Sequence, residues 1–253
     1  MTKEGFPLKQ MFLSTGKEFK EIETFEPGAW IHLVNPSQEE ALKVAERFNI
    51  DIQDLRAPLD VEETSRIDVE DDYTLILVDI PTQEERNNKS YYVTIPLGII
   101  VTDEVVVTTC LENISLMDDF LNHRVRNFYT FMKTRFVFQI LYRNAQLYLT
   151  ALRSIDRQND KLEAQLENST KNEHLIDMME LEKSIVYLKA SLKMNERIVK
   201  KLTGNASSLK KYIEDEDLLE DTLVETQQAI EMAGIYENVL NAMTETSASI
   251  INN

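Results

Sequence analysis

Carboxylates are concentrated in two stretches of this 253-residue chain, and carboxylate oxygens are the ligands that Mg²⁺ and Ca²⁺ prefer in proteins. Residues 51–72 hold the first group, with only two arginines among them: Asp51, Asp54, Asp60, Glu62, Glu63, Asp68, Glu70, Asp71 and Asp72. The second group opens the last predicted helix: Glu214, Asp215, Glu216, Asp217, Glu220, Asp221 and Glu225. Both stretches are therefore candidates for holding a divalent cation or a basic protein surface.

Each acidic stretch also has an interpretation without a ligand. Acidic residues at a helix N-terminus complement the helix dipole, and a solvated acidic face explains residues 51–72. The dipole effect fades within one turn, however, whereas Asp221 and Glu225 lie beyond it and repel each other as i, i+4 neighbours. No EF-hand spacing is present. From residue types alone a solvated face is favoured for residues 51–72, and a role for Asp221 stays open.

Other motifs for chemistry are missing from the sequence. The six glycines are isolated, which excludes a P-loop and a dinucleotide fingerprint, and no nucleophile elbow or kinase motif occurs. His32, His123 and His174 are isolated and are interpreted as packing or surface residues. Residues 183–211 carry eight Lys or Arg against one acid, and neutralisation of acidic helices is favoured over anion binding. We therefore expect no enzymatic activity.

Composition sets the class of protein. The chain carries 27 Lys and Arg against 44 Asp and Glu, a formal net charge of -17, which argues against nucleic acid as a partner. With 43% hydrophobic residues it is long enough to bury a core. Its one cysteine, Cys110, excludes internal disulfides and fits a reducing compartment. No 18-residue apolar run or secretory signal is present, so composition predicts an acidic cytosolic protein.

The front of the chain, which contains all six prolines, predicts mixed α/β structure. Residues 28–34 form a predicted strand, and Ser37 with Glu40 then makes a capping box at the start of a helix. Residues 73–80 predict a strand buried on both faces. Two hairpins are expected, one around Gly16 and one that joins residues 91–101 to 104–109. Pro96 is expected to make its strand an edge or kinked strand.

The back of the chain predicts three long helices. Two of them, near residues 128–167 and 173–202, are expected to form an antiparallel pair. The third begins near Glu214 and shows no stop signal before Asn253, so about 40 residues would extend about 60 Å. Such a length predicts that the helix leaves the globule. Apolar, small and hydroxyl side chains form two adjacent stripes at 3-4 spacing along this helix. They favour packing between copies in an assembly, and the alternative is a helix folded back on its own domain.

The collinear order of these segments resembles the CorA family of magnesium and cobalt transporters. Six segments carry the resemblance: WIHLVNP at 30–36, FNIDIQDLRAPL at 48–59, YTLILVDI at 73–80, LRSIDRQNDKLEAQL at 152–166, KKLTG at 200–204, and YENVLNAMTETSASIINN at 236–253. The resemblance covers nearly the whole chain. It implies a cytoplasmic domain that ends before the first transmembrane helix and the family's Gly-Met-Asn signature.

The resemblance implies a fold class and a division of the chain. The expected fold is an α/β/α sandwich with a mixed sheet, followed by long antiparallel helices and a long C-terminal stalk helix. We expect an α/β domain at residues 1–125, a helical pair at 126–211 and the stalk helix at 212–253. The expected assembly is a homopentamer, anchored to the cell membrane through the missing spans, with this domain on the cytoplasmic side.

The resemblance also implies a regulatory Mg²⁺ site between neighbouring subunits. Matched segment by segment, its carboxylates fall on Asp54 of one subunit and Asp221 of the next, with Asp156 as a possible further ligand. Gln53 replaces a residue that is acidic in some relatives, which weakens any second ion there. Co²⁺ or another divalent cation would substitute for Mg²⁺.

The expected function is therefore Mg²⁺ sensing and gating in a divalent-cation transporter, with Mg²⁺ stabilising the closed state. Two alternatives stay open. One is the cytoplasmic domain of a zinc-transporting relative with the same fold, since this segment does not encode ion selectivity. The other is a soluble acidic helical scaffold that binds basic partners.

Overall fold

The structure is a computed structural model, and it describes residues 9–16, 18–86, 89–165, 171–204, 209 and 213–251. The strands are β1 (Lys9–Thr15), β2 (Glu18–Glu21), β3 (Trp30–Val34), β4 (Arg66–Val69), β5 (Tyr73–Arg86), β6 (Lys89–Thr102) and β7 (Val106–Cys110). The helices are α1 (Gln38–Phe48), α2 (Ile52–Arg56), α3 (Ser115–Leu121), α4 (Lys133–Gln165), α5 (Lys171–Thr203) and α6 (Ile213–Ile251). A 3₁₀ turn, Ala57–Leu59, follows α2 directly.

The described strands form one mixed sheet in the order β2-β1-β3-β7-β6-β5-β4. Only β3 and β7 are parallel, and the other neighbours are antiparallel. Both predicted hairpins are present, since β1 pairs with β2 and β6 pairs with β7. The predicted mixed α/β fold is therefore confirmed.

Helix α1 begins where the sequence predicts. The Ser37 side chain accepts from the Glu40 N–H, and the Glu40 carboxylate accepts from the Ser37 N–H in return. This capping box satisfies two backbone donors that the first turn would otherwise leave without partners. The helix ends at Asn49, whose left-handed backbone (φ 52°) turns the chain away.

β6 as a whole is not an edge strand, but Pro96 lies just beyond the stretch that pairs with β7, so the edge prediction holds at this position. β6 lies between β5 and β7, and it pairs with β5 without interruption from Tyr73↔Thr102 to Arg86↔Lys89. Pro96 pairs with Asp79, whose backbone N–H and C=O both engage Asn195 and so point away from β6. The missing N–H of Pro96 therefore faces the β7 side, where pairing ends at Leu97↔Cys110.

Two apolar cores cover the two faces of the sheet. Helix α1, α2 and the 3₁₀ turn cover one face, with Leu33, Val44 and Leu55 among the buried residues. Helices α3 and α4 cover the other face together with parts of α5 and α6. An aromatic cluster that includes Trp30 and Phe136, with ring centroids 5.1 Å apart, joins α4 to the sheet. The arrangement is an α/β/α sandwich.

Helices α4, α5 and α6 continue as a bundle with a third core of its own. α6 lies along α4 and α5. Besides Asp215, its buried residues lie on the two predicted 3-4 stripes: Leu219, Thr222, Thr226, Ala229, Ala233, Leu240 and Ser247. α6 extends beyond the α/β core as predicted, but α4 and α5 extend with it, so its own chain covers its inner face. Its outer face exposes Val224, Ile235 and Val239.

None of the helices in the part of the chain that the structure describes combines the length and apolar character that a membrane span requires.

Candidate metal-binding surfaces

Asp54 lies on the short helix α2, which is fixed to the sheet at both ends. Asp51 caps the helix by accepting from the Gln53 N–H at 2.8 Å. At the other end the 3₁₀ turn lies directly over β6, where a Cβ on Gly98 would be 2.3 Å from Pro58 Cγ. Only glycine leaves room for this close approach, which holds α2 and Asp54 at the sheet surface.

A tyrosine from β5 orients the Asp54 carboxylate. The Tyr73 hydroxyl donates to Asp54 Oδ2 at 2.6 Å, and its pKa is raised by burial and then by this hydrogen bond. Tyr73 therefore keeps its proton and acts as a fixed donor. The Asp54 side chain is 22% exposed, and its Oδ1 lies 4.0 Å from Arg66 Nη2. One oxygen is thus held by the protein while the carboxylate stays partly accessible.

Arg66 neutralises part of the surrounding acidic surface. Its guanidinium forms ion pairs with Glu63 and Asp68, each at 2.5 Å, besides its longer approach to Asp54. Asp60, Glu62, Glu70 and Asp71 remain exposed. The solvated-face interpretation therefore describes the exposed carboxylates of residues 51–72, whereas Asp54, Glu63 and Asp68 are half-buried and oriented by their partners. Neither Tyr73 nor Arg66 was predicted, since both contacts join separate parts of the sequence.

The acidic start of α6 divides into an inward and an outward group. Asp215 is buried, with Oδ1 3.9 Å from Arg135 Nη1 of α4. Asp221 is exposed, as are Glu216, Asp217 and Glu220. Helix angles of 100° per residue place Asp221 in the same 60° sector as Val224, Ile235 and Val239. The predicted ligand Asp221 therefore lies on the outer apolar face of α6.

The structure does not bring Asp54 and Asp221 together within one chain. Asp54 belongs to the face of the sheet that α1 and α2 cover, whereas α6 packs on the opposite face through Leu219. Two carboxylates on opposite sides of a sheet cannot share an ion unless a second copy brings them together.

Asp156 lies apart from both. It is half-buried on α4 beside Tyr236 of α6, whose pKa is raised by burial and then by Asp156. Fifteen residues of α6 separate Tyr236 from Asp221, about 22 Å along the helix. The hydrogen bond to Tyr236 gives Asp156 a structural partner, and the structure does not join it to either of the other predicted ligands.

Within the described residues of one copy, no group of three or more His, Cys, Asp or Glu side chains is arranged to hold a metal ion. Mg²⁺ itself needs only one or two carboxylates, because it keeps several of its waters.

The basic stretch contacts acidic residues of the bundle. Lys189 of α5 forms an ion pair with Glu237 of α6, and Lys200 pairs with Glu196 on its own helix. These contacts support neutralisation within the chain for the basic stretch.

An α/β/α sandwich continued by a bundle of three long helices is also found in solved structures of other proteins. The structure superposes on the soluble domain of CorA from Methanocaldococcus jannaschii with a TM-score of 0.84 at 22% identity, covering 95% of this chain and 96% of that domain. The cytoplasmic domain of ZntB from Vibrio parahaemolyticus matches with a TM-score of 0.69 at 11% identity, covering 97% and 98%. These likenesses establish the fold.

Sequence comparison establishes the family. Residues 26–253 match the family described as CorA-like Mg²⁺ transporter protein, and the chain belongs to that family. It is also similar to the cobalt/magnesium transport protein CorA of Methanocaldococcus jannaschii, at 26% identity over 237 residues. That match covers 88% of this chain and 70% of the relative. The resemblance stated from the sequence is confirmed.

Proposed function

We propose that this chain is the cytoplasmic domain of a divalent-cation transporter, where it senses Mg²⁺ and gates the pore. The observation that carries the proposal is the placement of two accessible carboxylates on opposite sides of one sheet. Asp54 is held by Tyr73 with part of its surface open, and Asp221 lies on the outer face of α6. The full-length protein would be a homo-oligomer, a pentamer as in the family, in the cell membrane.

Assembly would bring Asp54 of one subunit close to Asp221 of its neighbour. Two carboxylates at such a junction repel each other by about 1–4 kcal/mol at surface-like dielectric. Bound Mg²⁺ supplies the positive charge that reverses this repulsion. The paired carboxylates then hold the subunits in the closed arrangement, and loss of the ion lets them separate. Because the ion binds the closed arrangement better, falling internal Mg²⁺ opens the pore.

Zinc transport and a scaffold function remain the competing interpretations. The shared fold does not distinguish a magnesium from a zinc transporter, since ZntB also matches. The sequence match to a cobalt/magnesium transport protein favours magnesium or cobalt. Family membership likewise favours a transport protein over an enzyme or a soluble scaffold.

The proposal is tested by melting this chain at high protein concentration in EDTA and in millimolar Mg²⁺. A ligand that binds only the native assembly raises its melting temperature. At a ligand concentration of 100 times the dissociation constant, the free energy of unfolding increases by about 2.7 kcal/mol. We expect a rise with Mg²⁺ that increases with protein concentration. Asp54→Ala and Asp221→Lys should each abolish the rise.

Matched controls separate the site from general charge. Asp71→Ala removes an exposed carboxylate from the same stretch as Asp54, and Glu216→Lys reverses an exposed charge of α6 that lies about 140° around the helix from Asp221. Both controls should keep the Mg²⁺ response. In the full-length transporter, Asp54→Ala and Asp221→Lys should remove inhibition by internal Mg²⁺, and normal inhibition in both variants would refute the proposal.

A further inference from the structure

Asp79 is an acidic residue in the middle of the central strand β5, at the junction between the sheet and the helical bundle. It lies two residues beyond Leu77, the last β5 residue that pairs with β4. From this point α5 takes the place of β4 beside the strand. The side chains that meet Asp79 come from α4, α5, β6 and the residue before β4.

Asn195 of α5 substitutes for the missing strand. Its Oδ1 accepts from the Asp79 N–H at 3.0 Å, and its Nδ2 donates to the Asp79 C=O at 2.8 Å. A single amide side chain thus makes both hydrogen bonds that a neighbouring strand would make. Asn144 and Tyr148 of α4 donate to the same carbonyl at 2.8 and 3.1 Å. The backbone of Asp79 therefore joins both helices to the sheet.

The Asp79 carboxyl faces only neutral groups. Its Oδ2 accepts from Ser191 Oγ of α5 at 2.6 Å, and Ser191 Oγ in turn lies 3.0 Å from Thr94 Oγ1 of β6. Ser65, whose buried hydroxyl has no partner of hydrogen-bond geometry, is the other group that acts on the carboxyl. Asp79 is half-buried, so an ionised carboxylate here is partly desolvated, and no basic side chain is among the groups that shift its pKa.

We propose that Asp79 is a proton-sensitive clamp that fastens α5 to the sheet more tightly when its carboxyl is protonated. The neutral acid can donate its proton to the Ser65 oxygen while still accepting from Ser191, so every group of the cluster gains a partner. The ionised form leaves a charge in a partly desolvated site. The free-energy cost of that charge weakens the attachment of α5 to the sheet. A fall in the pH of the solution around this domain therefore strengthens the attachment of the helical bundle to the sheet.

Burial raises the pKa of Asp79 above its ordinary value, with the nearby hydroxyls of Ser191 and Ser65 opposing the shift. The unfolded chain therefore ionises first as pH rises. The cost of the folded carboxylate is absent below the unfolded pKa and is complete above the folded pKa. Each unit of pKa elevation corresponds to about 3–5 °C in melting temperature for a chain of this size.

Asp79→Asn tests the clamp, because the amide keeps an acceptor for Ser191 and a donor for Ser65 without any charge. We expect the variant to melt above the wild type at pH 7.5, with the difference disappearing toward pH 4. Hydrogen exchange of the α5 amides near Ser191 and Asn195 should slow in parallel. Asp71→Asn, the same change at an exposed carboxylate, should show no such pH-dependent difference.

Carboxyl NMR of the wild-type protein keeps the proposal testable if the variant does not fold. The Asp79 resonance should titrate above the ordinary value of about 3.9, and the Asn195 side-chain amide should report the same transition. Titration at or below that value would overturn the proposal. A melting difference between Asp79→Asn and the wild type that is unchanged from pH 7.5 to pH 4 would also overturn it.

Discussion

His32 shows what this fold does to an ionisable side chain within its core. It lies on β3 and is 2% exposed, and its Nδ1 is 2.8 Å from Thr108 Oγ1. The same hydroxyl oxygen accepts from Trp30 Nε1 at 2.8 Å. The Thr108 hydroxyl can therefore accept from the indole and donate to the imidazole, which suits a neutral histidine. The interpretation of His32 as a packing residue agrees with this position.

The burial of His32 predicts a pH dependence of stability. Burial lowers its pKa to about 4, with a hydrogen bond to the Thr108 backbone opposing the shift. Because the unfolded chain takes up the proton near pH 6.5, stability is complete above that pH and falls until the folded pKa is reached. The loss amounts to about 3 kcal/mol.

Imidazole NMR should show His32 titrating near pH 4, and urea unfolding should show the loss of stability between pH 6.5 and 4. His32→Asn keeps a polar atom toward Thr108 but removes the titration, so its stability should vary less over the same range. A wild-type His32 that titrates near 6.5 would contradict the expected desolvation.

At the scale of elements, buried polar side chains at the end of the helical bundle far from the sheet lack hydrogen-bond partners that the middle of the bundle does not need. Three side-chain atoms there are buried without a hydrogen-bond partner: Asn159 Oδ1 of α4, His174 Nε2 of α5 and Thr244 Oγ1 of α6. Closer to the sheet the same helices bury Leu152, Ile185 and Ala233. A buried polar atom without a partner costs about 1–3 kcal/mol. The far end of the bundle is therefore the part that an apolar substitution should stabilise.

Asn159→Leu should raise the free energy of unfolding by about 1–3 kcal/mol, because it removes an unsatisfied oxygen and adds apolar surface to the core. Of the hydrogen bonds between described residues, the substitution removes the one from Asn159 Nδ2 to the Met243 sulfur. The matched control is Asn195→Leu, which replaces a buried asparagine whose two side-chain bonds hold Asp79. Urea unfolding should show the control destabilised, and a destabilised Asn159→Leu would indicate that this oxygen has an ordered partner such as water.

Local patterns in the sequence predict the elements well, and contacts between distant residues explain the rest. The capping box of Ser37 and Glu40 is a local signal, so α1 begins as predicted. Pro96 is tolerated inside β6 because its missing N–H faces the side where β7 has ended, which local sequence does not show. Spacing also shows that a face of α6 is apolar but not which helices cover it, and the structure covers the inner face with α4 and α5 of the same chain. For the candidate site, resemblance predicts Asp54, whereas Tyr73 lies 19 residues away and has no local signal.

At the scale of the whole molecule, charge and apolar surface act in opposite directions on assembly. The net charge of -17 opposes association of copies, and the exposed carboxylates at the start of α6 concentrate that repulsion. The outer face of the same helix exposes Val224, Ile235 and Val239, by 62%, 61% and 44%. A row of exposed apolar side chains in one sector of a helix favours contact with another surface.

Ile235→Glu should weaken self-association of this chain without unfolding it. The residue is 61% exposed in a single copy, so the substitution removes little packing within the chain. It places a charge in the sector of α6 that also contains Asp221, so association should weaken even when Mg²⁺ is present. Sedimentation velocity in millimolar Mg²⁺ should show a shift toward the monomer, with unchanged helical content by circular dichroism.

Leu42→Glu, at an exposed apolar residue of α1, is the matched control and should associate as the wild type does. If Ile235→Glu and the wild type associate equally, the outer face of α6 is not the contact between copies, and a site shared by Asp54 and Asp221 would need a different arrangement of subunits.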